Sequence, residues 1–414
     1  MKVTTAQREI TPTGKFFPCY LCGHAIRTEI ANGILTPLYV TALRWQIGQK
    51  QCLFVTVELI LLEKDYTDEL RQEFSRTYGI PVEQILIFFI HTHSAPECTK
   101  EPLSEDHAAI PGYMDFVKEQ ITAAVQGCFE KEPVEVELYG GTCQIDGLYC
   151  NRNGLEKPCD KSASFLKFVD QNGNVAAGMF NFTCHSTVLG PQNLKVSSDL
   201  AGWLAHALQE RWKVYPLAVI GAAGDMSNRL YRQGNDEKEL LRVCSEFMSQ
   251  VDEKVHYEKL EIHDPSIMPY RFCKTYYPVK EEKQKAYDMV VDHIESAKNF
   301  DEKKVWTSAL AMVKNGLECK PYTMDLECEY LDFGDLRAFV IPAELFSRFG
   351  LQIKEAMGSK MPLIFGYCNY SVNYLGNKED YGASFETSFS DIPCGTTEII
   401  TSEVVEKIKE KNSK

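Results

Sequence analysis

Residues 85–96 have the sequence ILIFFIHTHSAP, in which six apolar residues run directly into a His-Thr-His-Ser segment that ends at Pro96. A short apolar run of β-branched and aromatic residues predicts a strand that is buried on both faces. Because side chains alternate along a strand with a period of two, we expect the His91 and His93 imidazoles on one face. Two neutral imidazoles could bind one zinc ion, or one could bind zinc while the other contacts substrate. From the spacing alone, ordinary loop histidines are an equally good interpretation.

The residues on both sides of this stretch alternate between strand and helix patterns. Strands are predicted at 37–47, 51–62, 84–90, 135–141, 217–225, 337–342 and 361–370, and in a hairpin over 163–185 with its turn at 170–173. Helices are predicted at 63–79, 113–129 and 198–212. Residues 236–316 are charged and predicted to be mostly helical, with 280–316 as a helical excursion. The pattern predicts an α/β fold, a mixed multi-sheet single domain flanked by helices.

The composition is that of a globular protein, with 44% hydrophobic and 25% charged residues. The net charge of -14 argues against nucleic acid or an anionic membrane as a partner, because both would repel such a surface. No apolar run is long enough for a transmembrane segment, and the start, MKVTTAQREITPTG, lacks the apolar core of a signal peptide. We therefore expect a cytoplasmic protein.

The fifteen cysteines are odd in number and scattered, which is typical of a reducing compartment. Cys19 and Cys22 have the C-x-x-C spacing of metal and redox sites. No second C-x-x-C pair completes a four-cysteine zinc site, so buried thiols are the favoured interpretation.

Polar residues follow the ends of several predicted strands, where ligands of α/β proteins gather. Each residue alone has a structural explanation. His185 could be an ordinary loop histidine, and Glu344 suits the start of a helix because of the helix dipole. Their convergence predicts a functional site that includes His91, His93, His185, Asp225, Ser227, Glu344 and Tyr374.

The segment GAAGDMSN, residues 221–228, places Ser227 on a glycine-bounded turn. Gly221 and Gly224 permit close backbone approach, and a serine there could be a nucleophile or a hydrogen-bond donor to an oxyanion. The segment lacks the G-x-S-x-G motif of the α/β-hydrolases, and no Ser-His-Asp order is evident. A metal-independent serine hydrolase is therefore not favoured.

Taken in order, these segments resemble the catalytic domain of neutral (alkaline, non-lysosomal) ceramidases. HTHSAP matches the family's H-T-H-S-G-P with Ala95 in place of glycine, and GAAGDMSN is similar to its G-D-V-S-P-N. The other similar segments are REITPTG (8–14), CGHAIRTEIANGILTPLYVTAL (22–43), YCNRN (149–153), IPAELFSRFG (341–350) and NYSVNYLGNKEDYGASFE (369–386). Each motif is short, but together they span nearly the whole chain in the family's order.

The resemblance implies a zinc ion bound by His91, His185, Glu344 and Tyr374. Tyrosine is an uncommon zinc ligand, so Tyr374 could instead donate a hydrogen bond to the oxyanion. The residues implied in catalysis are His93 as acid/base or hydrogen-bond partner, Arg152 on the acyl oxygen or another polar group, and Ser227 beside the scissile bond. The residues expected to contact substrate are Asn151, Asp225 and Phe385.

The chain also departs from the family pattern. Phe385 stands where a tyrosine is expected, which removes one hydroxyl from the substrate site. We expect a single ceramidase-like catalytic domain over residues 1–414, without the C-terminal immunoglobulin-like domain or the secretion signal of the secreted members.

The resulting hypothesis is a zinc hydrolase of the amide bond in a small or lipid-like N-acyl substrate. A zinc esterase or lactonase would share the same site, and a non-catalytic ligand-binding protein could share the same scaffold. The oligomeric state is left open.

Overall fold

The computed structural model describes residues 1–100, 102–104, 107–388 and 390–413. Its strands are β1 (Lys2–Glu9), β2 (Gly33–Ile34), β3 (Tyr39–Ile47), β4 (Lys50–Val57), β5 (Ile85–Phe89), β6 (Val134–Gln144), β7 (Cys150–Asn151), β8 (Ser162–Asp170), β9 (Val175–Phe182), β10 (Lys195–Val196), β11 (Leu217–Ile220), β12 (Met226–Ser227), β13 (Glu258–Lys259), β14 (Ile262–Tyr276), β15 (Tyr322–Gly334), β16 (Leu336–Val340), β17 (Glu344–Leu345), β18 (Met361–Phe365) and β19 (Tyr374–Leu375). Its helices are α1 (Lys64–Tyr78), α2 (Tyr113–Glu130), α3 (Asp199–Trp212), α4 (Glu237–Lys254), α5 (Lys280–Ser296), α6 (Phe300–Gly316), α7 (Ser347–Met357), α8 (Phe385–Ser388) and α9 (Thr396–Asn412). Within the described residues, no helix combines the length and the apolar character needed to cross a bilayer.

The larger sheet contains nine of the described strands, in the order β11-β9-β8-β6-β1-β3-β4-β5, with β13 paired to β6. The pairs β4–β5 and β9–β11 are parallel, and the pairs between them are antiparallel. Strand β5 is the predicted apolar strand, and all of its residues are buried.

A second sheet has the order β14-β15-β16-β18. Side chains of β15 alternate between its two faces: Leu326 and Tyr330 pack toward α5, α6, α7 and α9, whereas Leu331 and Phe333 pack against the larger sheet. The opposite face of the larger sheet packs against α1 to α4. The chain therefore forms four layers, helices on sheet on sheet on helices, and the predicted mixed, multi-sheet α/β fold is confirmed.

Local signals placed several of these elements correctly. Helix α1 ends at Gly79, which adopts the left-handed conformation (φ 67°) expected of a glycine cap. The β8–β9 hairpin turns at the predicted Asp-Gln-Asn-Gly segment, where Asp170 Oδ1 accepts hydrogen bonds from the N–H groups of Asn172 and Asn174 (both 2.8 Å). Such side-chain acceptors stabilise tight turns.

The prediction that residues 236–316 are mostly helical is wrong between α4 and α5. That segment contains β13 and the 15-residue strand β14. Because β14 is an edge strand with many exposed positions, it needs no continuous apolar run, and it tolerates Pro265 and Pro269. From Lys280 to Gly316 the chain forms the helix pair α5 and α6, as predicted.

Strands from both sheets end on one side of the molecule. Gly366 N, just after β18, donates to Ile220 O at the end of β11 (3.0 Å), and Phe89 N, at the end of β5, donates to Tyr367 O (3.0 Å). A Cβ on Gly366 would lie 2.5 Å from Gly221 O, so the crossing of these two segments requires glycine. The segments that follow β5, β9, β11 and β18 are thereby held close together.

A substitution at Trp45 tests the packing of the two sheets. Trp45 lies on β3 of the larger sheet, and its ring stacks on Phe333 of β15 in the second sheet, with ring centroids 4.9 Å apart. We expect Trp45→Ala to lower the free energy of unfolding by about 3–5 kcal/mol, since it leaves a cavity between the sheets. As a control, Leu241→Ala removes a side chain that is 48% exposed, and it should change this free energy by less than about 0.5 kcal/mol. Denaturant unfolding followed by circular dichroism measures both, and equal losses at the two positions would contradict the packing described.

Candidate functional site

His91 follows β5 and has a left-handed backbone conformation, with φ 53°. Its N–H donates to Leu59 O (3.1 Å), and its Nδ1 lies 3.1 Å from Ile60 O. The His91 and His93 imidazoles do lie together, with ring centroids 5.0 Å apart, but because β5 ends at Phe89, strand alternation is not what sets the direction of His91. Positive φ is costly for a residue with a side chain, and such strain is concentrated at functional sites.

His185 and Glu344 reach the same point from other segments. His185 Nδ1 lies 2.7 Å from Ala223 O, and its Nε2 lies 3.0 Å from Glu344 Oε2. His91 Nε2 lies 3.5 Å from the same carboxylate oxygen. One ligand atom from each of the three buried residues lies within 4.8 Å of the other two. A Cβ on Gly224 would lie 2.2 Å from Glu344 O, so this approach also requires glycine.

The chemistry of these three side chains fits a metal ion. Each Nδ1–H donates to a backbone carbonyl, which turns the Nε2 lone pair toward Glu344. Burial lowers the pKa of His91 and brings the pKa of His185 to about 4, so both rings are neutral at pH 7. Burial raises the pKa of Glu344, but His91, His185 and Arg152 outweigh it and hold that pKa at about 2. Two lone pairs and a carboxylate that face one another could hold a cation between them, and the donor set suits zinc.

Tyr374 lies beside this cluster because β19 pairs with β17, which sets Tyr374 opposite Glu344. Its hydroxyl lies 3.5 Å from His185 Nε2 and accepts a hydrogen bond from Arg152 Nη2 (3.2 Å). This position is compatible with a fourth ligand and with a donor to an oxyanion, so both alternatives stay open.

Arg152 is fixed by a buried ion pair with Glu386. The side chains of Arg152 and Glu386 are 5% and 0% exposed, and Arg152 Nε donates to the Glu386 carboxylate. Asn153 Nδ2 donates to the other carboxylate oxygen (3.1 Å), and Arg152 Nη2 also donates to Gly224 O (2.8 Å). Although burial opposes the charge, Glu386 and Tyr374 raise the pKa of Arg152, so this group stays a cation.

His93 lies next to His91, with ring centroids 5.0 Å apart. Its Nδ1 lies 2.8 Å from Gly23 O, and within the described structure its buried Nε2 has no hydrogen-bond partner. Burial and the neighbouring His91, His24 and His185 lower the pKa of His93 well below its usual range, so Nε2 is an acceptor at neutral pH.

A cavity of about 220 Å³ opens onto these groups. Ser227 is 3% exposed, and its Oγ accepts a hydrogen bond from Arg229 N (3.2 Å). Phe385 presents its ring near that of Tyr374, with centroids 6.2 Å apart. The residues suggested by the sequence that line this cavity are His91, His93, Arg152, Ser227, Glu344, Tyr374 and Phe385.

Asn151 and Asp225 lie behind this cavity, outside its lining. Asn151 Nδ2 donates to Asp225 Oδ2 (2.7 Å), and Asp225 Oδ1 accepts a hydrogen bond from Ser347 N (2.7 Å). Strand β7, which contains Asn151 and precedes Arg152, pairs with β12, which follows Asp225 and contains Ser227. This pairing holds the four residues close together. The observed contacts of Asn151 and Asp225 support the neighbouring residues, and a direct contact with substrate stays a prediction.

Sequence reasoning assigned no role to three features of the site. Glu386 pairs with a residue 234 positions away, a distance that no local pattern reveals. His24 also lines the cavity. The sequence signal that could have indicated it was its position next to Gly23, within the ceramidase-like segment 22–43. Helix α6 supplies Lys304 and Met312 to the lining, but its charged sequence resembles that of a solvent-exposed helix.

The buried ion pair provides a test of this geometry. Glu386→Gln leaves the Arg152 guanidinium buried without its counter-ion, and we expect it to lower the free energy of unfolding by about 3–5 kcal/mol. In the control, Asp252→Asn breaks the ion pair between Asp252 and Arg211, whose side chains are 54% and 38% exposed, respectively. This variant should lower the free energy of unfolding by less than about 1 kcal/mol. Denaturant titration of both variants decides the matter: a Glu386→Gln cost as small as that of the control would show that Arg152 does not depend on the pair.

No family model matches the chain. Solved structures with a similar fold include neutral ceramidase from Pseudomonas aeruginosa, with a TM-score of 0.72 and 15% identity over 100% of this chain and 74% of that one. A ceramidase complexed with C2 has a TM-score of 0.71 and 14% identity over 100% of this chain and 75% of its own. At this level of identity the similarity establishes the fold. The chain therefore has the ceramidase fold that its motifs predicted.

Proposed function

We propose that this chain is a zinc-dependent hydrolase that cleaves the amide bond of an N-acyl substrate. The observation that carries the proposal is the buried set of His91, His185 and Glu344 at a cavity. Two histidines and one carboxylate are a ligand set of catalytic zinc sites that keep a further position open. Bound there, zinc would make water a nucleophile at neutral pH and polarise the acyl carbonyl.

We assign proton transfer to His93. Its Nε2 is a buried acceptor at the cavity wall, and its Nδ1 is anchored on Gly23 O. Nε2 is therefore suited to accept the proton of the attacking water and to return it to the leaving nitrogen, which departs as an amine. A Cβ on Gly23 would lie 2.4 Å from the His93 ring, so glycine is needed for this placement.

We assign stabilisation of the acyl oxygen to Arg152 and Tyr374. The ion pair with Glu386 and the hydrogen bond to Gly224 O hold the guanidinium in one orientation, which favours preorganised electrostatic stabilisation. Ser227, which also lines the cavity, would contact the substrate through its hydroxyl. Its Oγ already accepts a hydrogen bond from Arg229 N, which leaves its hydroxyl proton to donate.

The shape of the site supports a small head group joined to an acyl chain. The cavity of about 220 Å³ is smaller than the roughly 300–1,000 Å³ typical of pockets for drug-sized ligands. A second cavity of about 830 Å³ shares Leu103, Met312, Asn373 and Tyr374 with it and offers room for a longer, lipid-like acyl group. The similarity to ceramidase structures supports an N-acyl substrate.

The same geometry also suits an ester or lactone, because the leaving group alone differs. A non-catalytic binding protein is the other alternative, and Phe385 favours it because its ring presents no hydroxyl to the cavity.

We further propose that residues 1–414 act as one catalytic unit, since the ligands span residues 91 to 374. We also propose that the protein is cytoplasmic, since its fifteen cysteines are free thiols. Burial raises the pKa of Cys19 to about 12, which supports an inert role for the C-x-x-C pair.

Metal analysis tests the zinc proposal. We expect about one zinc per purified chain, and we expect His91→Ala to lose most of it because a ligand is removed. His263→Ala is the control, since that side chain is 57% exposed and lies on β14, and it should keep its zinc. A folded wild-type protein that binds no zinc, or a His91→Ala variant that keeps it, would contradict the proposal.

A substrate screen tests the reaction. N-acyl amines, N-acyl amino acids and matched esters of varied chain length should show hydrolysis of at least one amide class. His93→Ala should keep zinc and lower kcat by about 100-fold to 10,000-fold, as expected for loss of a general acid/base. Turnover of esters alone would favour the esterase. The absence of any turnover, with zinc bound, would favour the binding protein.

A further inference from the structure

Two side chains that line the cavity, His24 and Asn228, have no role in the proposed reaction. They are 7% and 2% exposed, respectively. Within the part of the chain that the structure describes, His24 Nε2 and Asn228 Nδ2 are buried and make no hydrogen bond. An unsatisfied buried nitrogen costs stability, so two of them at one cavity point to a ligand that satisfies both.

His24 presents a hydrogen-bond acceptor. Burial, followed by the charge of Arg27, lowers the pKa of His24 well below its usual range, so the ring is neutral at pH 7. The Leu189 backbone accepts a hydrogen bond from the ring. Because Nε2 makes no hydrogen bond among the described residues, Nδ1 is the donor, and Nε2 keeps a free lone pair.

Asn228 presents hydrogen-bond donors. Its carboxamide nitrogen carries two N–H groups, and neither meets an acceptor in the described structure. The backbone here is fixed, because β12 ends at Ser227 and Asn228 O accepts hydrogen bonds from Tyr231 N and Arg232 N (both 2.9 Å). Asn228 is therefore held in the cavity wall next to Ser227, which is proposed to contact the substrate.

Both residues lie beside groups already assigned to the reaction. His24 and His93 have ring centroids 5.2 Å apart, and His93 is assigned to protonate the leaving nitrogen. Asn228 directly follows Ser227. A cavity of about 220 Å³ is small enough for one substrate to reach both. His24 therefore borders the amine portion of that substrate.

His24 and Asn228 are both uncharged, so they recognise a group by hydrogen bonding and not by charge. Their free atoms are of opposite kinds, a lone pair on His24 and N–H groups on Asn228. A group that satisfies both must donate one hydrogen bond and accept another. A hydroxyl and a carboxamide can do this, whereas a carboxylate only accepts and an alkyl group does neither.

We propose that His24 and Asn228 bind one uncharged polar group, a hydroxyl or a carboxamide, on the amine portion of the substrate. This inference rests on the proposed hydrolase function, which defines the amine portion. The group donates to His24 Nε2 and accepts from Asn228 Nδ2. A carboxylate in its place leaves the His24 lone pair unsatisfied, and an alkyl group leaves both nitrogens unsatisfied, at a cost in binding.

Matched substrates test the inference. N-Hexanoylethanolamine is compared with N-propylhexanamide, in which a methyl group replaces the hydroxyl. N-Hexanoylglycinamide is compared with N-isobutylhexanamide, which has a similar shape, and with the carboxylate N-hexanoylglycine. We expect kcat/KM to favour the hydroxyl or the carboxamide over its apolar match by about tenfold or more, and to be lower for the carboxylate than for the favoured group. The two pairs identify which group binds. Equal values in both pairs, or a carboxylate preferred to both neutral polar groups, would overturn the inference.

Substitution of Asn228 separates recognition from a structural role. Asn228→Leu has a similar size and should abolish the polar preference without lowering the Tm, since Nδ2 makes no hydrogen bond within the described chain that could be lost. His24→Phe should also reduce the preference. If the preference persists in both variants, the polar group is bound elsewhere and the inference falls.

Asn181 on β9 provides the matched control. It is also 2% exposed, but its Nδ2 donates to Val219 O (3.1 Å) and Ile364 O (2.9 Å). Asn181→Leu should therefore lower the Tm and keep the polar preference. A preference lost equally in Asn181→Leu and Asn228→Leu would show a general effect on packing and would count against the site.

Equilibrium binding separates this inference from the proposed function. The same five amides are titrated by calorimetry into zinc-loaded His93→Ala protein, with and without Asn228→Leu. Tighter binding of a neutral polar amide that depends on Asn228 supports the site even if no amide is hydrolysed, in which case the hydrolase proposal alone fails. Equal binding of the polar and apolar members of both pairs overturns the site, whatever the hydrolytic activity.

Discussion

The site depends on one electrostatic constraint, the meeting of two neutral imidazole nitrogens and one ionised carboxylate in a buried space. His185 Nε2 and His91 Nε2 lie 3.0 and 3.5 Å from the same Glu344 oxygen. Each ring donates its Nδ1–H to a backbone carbonyl, so a neutral ring has no N–H left to donate to that oxygen. A divalent cation would resolve this repulsion, and for that reason the geometry favours a metal centre over an ordinary buried polar cluster.

The four-layer fold makes this meeting possible. The three ligands come from segments that follow β5, β9 and β16, strands that belong to two different sheets. Those segments approach closely because Gly224 and Gly366 leave room for the neighbouring backbone and Gly221 leaves room for the Thr183 side chain. The buried pair of Arg152 and Glu386 then closes one wall of the cavity, while α6 supplies another.

The apolar run ILIFFI and the Asp-Gln-Asn-Gly turn carry their structure in local sequence, so β5 and the β8–β9 hairpin were predictable. The spacing of His91 and His93 was not sufficient, because the left-handed backbone at His91 departs from strand alternation. The convergence of polar residues at predicted strand ends brought His185, Glu344 and Tyr374 into the predicted site, and the resemblance to known motifs then assigned them as zinc ligands. Strand β14, Glu386 and the lining from α6 were missed because an exposed edge strand and long-range contacts leave no regular local pattern.

Anomalous diffraction at the zinc edge, from crystals grown without added metal, tests the central claim most directly. The account predicts one zinc peak with His91 Nε2 and His185 Nε2 at about 2.0–2.1 Å and a Glu344 oxygen at about 2.0–2.2 Å. The same map shows whether the Tyr374 hydroxyl is a ligand or lies beyond bonding distance. A zinc peak at Cys19 and Cys22, or a folded protein whose three ligand atoms surround no metal, would contradict the account.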